Sequence, residues 1–72
     1  MQRFGEKLRT LRKQHNLSIR QLATMLDISS HSHIVNLEAS RKKPSIDLIL
    51  KVSRFFDVSL DQLAKDELEL DE

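Results

Sequence analysis

The chain has 72 residues, enough for one small domain, and no cysteine, which excludes a disulfide framework and a thiolate metal site. Its net charge of +1 conceals a gradient: residues 1–44 carry nine Lys or Arg against three acids, and residues 45–72 carry three against eight. A basic front suits a polyanion, while the short apolar runs and the polar start MQRFGEKLRT suit neither a membrane span nor a secretion signal.

Phe4, Leu8 and Leu11 recur at helical spacing with charges between them, predicting a first helix that ends near His15 and Asn16. Asn16 suits the left-handed position that follows many helices. Ser18 is the predicted N-cap of a second helix with Leu22, Ala23 and Leu26 inward, stopping near Asp27. A third helix is expected from Ser30, burying Ile34 and Leu37. The stretch SRKKP ends it, because the residue before Pro44 avoids helical angles. Ser45 caps a predicted fourth helix with Ile46, Ile49, Val52 and Phe56 inward. Ser59 caps a short fifth with Leu60 and Leu63. Strand signals are missing: there are no alternating runs, one glycine, and no Asn-Gly or Asp-Gly turn. The expected fold is all-α, a compact orthogonal bundle of five short helices over residues 1–65, with an acidic tail at 66–72.

A capped helix of about eight residues, a short turn and a second helix of about ten make helix-turn-helix spacing. The residues sharpen the pattern. LRTLRKQHNLSIRQLATMLDIS, followed by IVNLEASRKKPSIDLILKVSRFFDVSLDQL, resembles the DNA-binding domain of the lambdoid-phage repressor and Cro family, the xenobiotic-response-element type of helix-turn-helix. The resemblance runs from about Phe4 to Ala64. It implies a sequence-specific regulator of transcription, expected to be a repressor, that places its third helix (residues 30–39) in the major groove of double-stranded DNA. It also implies a homodimer on a near-palindromic operator.

Matching positions carry over residue roles. Arg12 aligns with a first-helix arginine that pairs with the glutamate ending the IxxLE motif, here Glu38, as a structural clasp. The start of the third helix is where such domains touch base edges, so His31, Ser32, Val35 and Asn36 are the expected base readers. Asn can bond an adenine edge at two points, and Val35 can meet a thymine methyl. Arg20, Gln21, His33, Arg41, Lys42, Lys43 and Ser45 are the expected phosphate contacts. Departures from the family pattern are informative. Asn16, Asp27, Ser40 and Asp57 stand where glycine is frequent. Ile19 replaces a common glutamine. Leu26 to Glu38 is one residue longer than the commonest spacing, with the extra residue assigned to DISSH.

The same residues admit competing readings. His31 and His33 form His-x-His, but on a helix they point about 200° apart and cannot share a metal. No acid or cysteine nearby completes a tetrahedral site. No glycine-rich nucleophile turn supports a hydrolase. Neither enzyme activity nor a cofactor is therefore expected. Leu48 and Phe55 on the fourth helix, with Leu68 and Leu70 in the tail, are the predicted dimer surface. The expected location is the cytoplasm of a prokaryote, or of a cell carrying a phage, in contact with the nucleoid. An antitoxin, or another regulator that binds a partner protein through the same fold, remains the alternative.

Overall fold

The computed structural model describes residues 3–65, and these form five helices: α1 (Phe4–Gln14), α2 (Ile19–Met25), α3 (His31–Glu38), α4 (Ile46–Phe56) and α5 (Leu60–Ala64). Among the described residues there is no strand, and no helix is long and apolar enough to cross a membrane. Leu68 and Leu70 lie outside the described residues.

Local sequence explains most helix boundaries. Ser18 and Ser59 each open a reciprocal capping box. Ser18 Oγ accepts from the Gln21 N–H at 3.0 Å, and Gln21 Oε1 accepts from the Ser18 N–H at 2.8 Å. Gln62 does the same for Ser59. Ser45 Oγ accepts from the Leu48 N–H at 3.1 Å and starts α4. Four helices end on left-handed residues, Asn16, Asp27, Ser40 and Asp57, with φ between 55° and 61°. After α1, α2 and α3 the next N–H reaches back to close a Schellman turn: Leu17 to Arg12, Ile28 to Ala23 and Arg41 to Asn36.

Each helix sends at least one aliphatic side chain wholly inside. Leu8, Leu22, Ile34, Val52 and Leu63 are 0% exposed, so the core is a common meeting point rather than a set of pairwise contacts. Phe4, Leu11, Leu26, Leu37 and Phe56 enclose them. The apolar residues after three of the left-handed caps, Leu17, Ile28 and Val58, pack against this cluster. α3 lies against both α1 and α2, and α5 closes the bundle against α4 and α1.

Three expectations are corrected. Leu48, assigned to the dimer surface, is buried at 6% exposure, whereas Ile46, assigned to the core, is 77% exposed. Ile46, the first residue of α4, stands outside the row that the other helices cover. Leu48 shares the inward face with Ile49, Val52 and Phe56. Leu60, expected inward with Leu63, is likewise exposed at the start of α5.

The basic front is also smaller than the sequence implies. Lys7 is only 2% exposed. Its ammonium donates to the Gln62 and Lys65 carbonyls, the latter at 2.6 Å, and so satisfies the C-terminal end of α5. Nearby, Gly5 lets α1 approach the backbone at the end of α3. A Cβ there would lie 2.2 Å from the Leu37 carbonyl oxygen and 2.8 Å from that of Glu38.

Candidate nucleic-acid interface

The site begins with α3. Ile34 and Leu37 anchor one face in the core. At about 100° per residue, that turns Ser32, Val35, Asn36 and Ala39 outward as one stripe. Ser32, Val35 and Ala39 are exposed and Asn36 is partly so. His31 is exposed at the first helical position, with Ser30 as N-cap. His33 is partly buried on the flank. The expected base readers therefore share an exposed surface around the start and middle of α3. Ala39 belongs to the same stripe and was not foreseen, although it lies seven residues after Ser32.

The two ends of α3 are unlike those of its neighbours. Ser30 makes no side-chain cap, so the first turn of α3 lacks the side-chain acceptor that Ser18, Ser45 and Ser59 supply to theirs. Uncapped N–H groups at a helix start are ready donors to an anion. At the other end, the left-handed position is held by Ser40 and the residue after it is Arg41. Elsewhere in the chain that following residue is apolar and packs inward. Here it is a cation, and it projects Arg41, Lys42 and Lys43 into solvent.

These three side chains, and that of Arg20, have no hydrogen bond or ion pair among the described residues. Like charges held in sequence without partners repel one another, so a polyanion would be stabilised beside them. Gln21 and Ser45 have structural duties as caps. Gln21 keeps its amide nitrogen available, and Ser45 keeps its hydroxyl proton. Ile19 is partly buried against the core rather than offered to a ligand.

The α1–α3 junction holds the reading helix in place. Arg12 Nε donates to Glu38 Oε2 at 2.7 Å, Nη2 to Oε1 at 3.2 Å, and Nη1 to the Leu17 carbonyl at 3.0 Å. The side chains are 13% and 7% exposed. One guanidinium thus ties α1 to the last residue of α3 and to the link before α2. His31 and His33 both sit on α3, and among the described residues no group of three or more His, Cys, Asp or Glu could hold a metal ion.

An α2–turn–α3 unit with an exposed second helix defines a helix-turn-helix domain. The helix-turn-helix family matches residues 8–63, and the chain belongs to it. It is 40% identical over 60 residues to YobD of Bacillus subtilis, an uncharacterized HTH-type transcriptional regulator. That match covers 83% of this chain and 53% of YobD. It is 36% identical over 64 residues to BcrR of Enterococcus faecalis, an HTH-type transcriptional activator, covering 89% of this chain and 31% of BcrR. The crystal structure of a transcriptional regulator from Listeria innocua superposes with a TM-score of 0.80 at 26% identity, over 96% of this chain and 64% of that one. The chain thus spans about half of YobD and less than a third of BcrR.

Proposed function

We propose that this domain regulates transcription by binding double-stranded DNA with α3 in the major groove. One observation carries the reading: the second helix of the helix-turn-helix presents Ser32, Val35 and Asn36 on a face opposite two fully buried anchors, Ile34 and Leu37. Such a helix can enter a groove without disturbing the core. Asn36 bonds an adenine edge, Val35 meets a thymine methyl, and Ser32 and His31 complete the base contacts. Arg41, Lys42 and Lys43 follow the phosphate backbone past the end of α3. Arg20, Gln21, His33 and Ser45 contribute further phosphate contacts. The relatives named as transcriptional regulators support the class of function.

A single domain of this size offers DNA a small footprint, and two copies on a near-palindrome double it. The dimer forms through α4 and α5, where Phe55 and Leu60 are exposed, and Met25 adjoins Phe55 across a shallow hollow. We take the sign of regulation as repression by occupancy and the location as the cytoplasm.

Selection from a random duplex library tests the reading. The full chain should enrich a near-palindromic sequence. Repeating the selection with Asn36→Ala should erase preference at one base position per half-site and leave the others intact. Enrichment of no sequence at low salt would sink the proposal.

A further inference from the structure

Beyond the DNA contacts, the geometry points to a docking site for the chain's own acidic segment, residues 66–72. A cleft of about 600 Å3 lies between the start of α1 and the loop after α3. Phe4, Gly5 and Leu37 line its closed end, and its accessible wall is Ser40, Pro44 and the side chains of Lys42 and Lys43, whose stems are apolar and whose ammonium groups are charged. Neither lysine has a partner among the described residues. The occupant must therefore combine apolar side chains with negative charge.

The segment DELELDE has that composition. It carries five acids and no base, with Leu68 and Leu70 two residues apart. In an extended strand that spacing puts both leucines on one side, between carboxylates facing the other way. Residues 3–65 carry twelve Lys or Arg against six acids, so the segment offsets most of the domain's own excess of +6.

The point of departure suits the cleft. Lys7 holds the Lys65 carbonyl at 2.6 Å, which fixes the start of the segment against α1, within a helical turn of Phe4 and Gly5. Seven extended residues reach about 23 Å. That matches the 23 Å middle dimension of the domain, so the cleft is within range. Docking there lays the leucines against Pro44 and the lysine stems and the carboxylates against the Lys42 and Lys43 ammonium groups. It removes Leu68 and Leu70 from the dimer surface. It also sets the segment in competition with phosphate for the same two lysines. That consequence rests on the DNA-binding reading; the docking itself does not.

The test needs no DNA. The chain lacks cysteine, so Glu72→Cys gives one attachment point for a nitroxide on the 72-residue chain. Amide signals of Ser40, Lys42 and Lys43 should be broadened more than those of Thr24 and Met25. The difference should be lost when Asp66→Asn, Glu67→Gln, Glu69→Gln and Asp71→Asn are added. It should also be lost between about 0.1 M and 1 M salt, as the screening length falls from about 10 Å to 3 Å. Broadening unchanged by neutralisation, or centred elsewhere, overturns the docking and leaves the DNA reading untouched. A mixture of isotope-labelled and nitroxide-labelled molecules reads the remaining case: broadening that passes between molecules means a second copy's segment fills the cleft, which also overturns it.

Discussion

Arg12 grips Glu38 through two nitrogens, at 2.7 and 3.2 Å, while its third nitrogen holds the Leu17 carbonyl. The carboxylate is on the last residue of α3, so this one side chain sets where α3 ends relative to α1. Removing either partner strands a largely buried charge. Arg12→Ala or Glu38→Ala should cost roughly 3–5 kcal/mol. In a domain of this size each kcal/mol moves Tm by about 4–8 °C. Arg12→Lys should recover little, because an ammonium cannot span both carboxylate oxygens and a carbonyl. A thermal melt unchanged in Arg12→Ala would refute the assignment.

Gly5 lies at the same junction, as the second residue of α1. Alanine normally gains about 1 kcal/mol over glycine inside a helix. Here the added carbon would meet two backbone carbonyls of α3, at 2.2 and 2.8 Å, and a backbone cannot rotate aside. Overpacking of this kind costs about 1–3 kcal/mol. Gly5→Ala should therefore lower Tm against the propensity trend. Denaturant titration gives the sign, and a stabilised variant would show that α1 and α3 are not this close in solution.

Ser40 should respond in the opposite direction. Its φ of 61° is left-handed, and unlike Asn or Asp it has no special tolerance for that region. Relief of about 1–2 kcal/mol of backbone strain outweighs the extra freedom that glycine gives the unfolded chain, about 0.5–1 kcal/mol. Ser40→Gly should raise Tm by a few degrees, and Ser40→Ala should not. Equal melts for the two variants would remove strain as the cause.

Lys7 is the test of a contact that is long-range in sequence. Lys7→Met keeps the buried stem and deletes the donor, leaving the Gln62 and Lys65 carbonyls without it. The loss should be about 1–3 kcal/mol. Hydrogen exchange should quicken selectively in α5, whose last turn the ammonium satisfies. Uniform acceleration across all five helices would mean that Lys7 supports the bundle generally rather than this terminus.

The contrast among these residues shows what the sequence could disclose. Ser18, Ser45 and Ser59 act on N–H groups three residues away, and Asn16, Asp27 and Asp57 act on their own backbone, so local rules locate them. The outward face of α3 follows from Ile34 and Leu37 by rotation alone. Lys7 binds carbonyls 55 and 58 residues distant, and nothing local marks it except its place in the apolar row Phe4, Leu8, Leu11. Leu48 and Ile46 were exchanged because two stripes can be drawn along α4. Packing against the rest of the bundle, which buries the Leu48, Val52 and Phe56 row, decides between them. Ala39 carries no polar group that would mark it in the sequence, although its position puts it in the stripe.

Salt dependence should separate the cations proposed to face DNA from those that build the fold. Each phosphate contact contributes about −0.9 to the slope of log K against log salt on duplex DNA. A dimer using about three contacts per subunit should show a slope near −5. Lys42→Ala or Lys43→Ala, changed in both subunits, should each reduce its magnitude by about 1.8 and weaken binding to all sequences alike. Lys7→Met should leave the slope unchanged. Its ammonium is bonded inside the bundle and cannot displace a counterion from DNA. Both classes appear as plain positive charge in the sequence, and titrating binding against salt for the two sets of variants divides them. A slope that falls equally for Lys7→Met and Lys42→Ala would contradict the partition of charge described here.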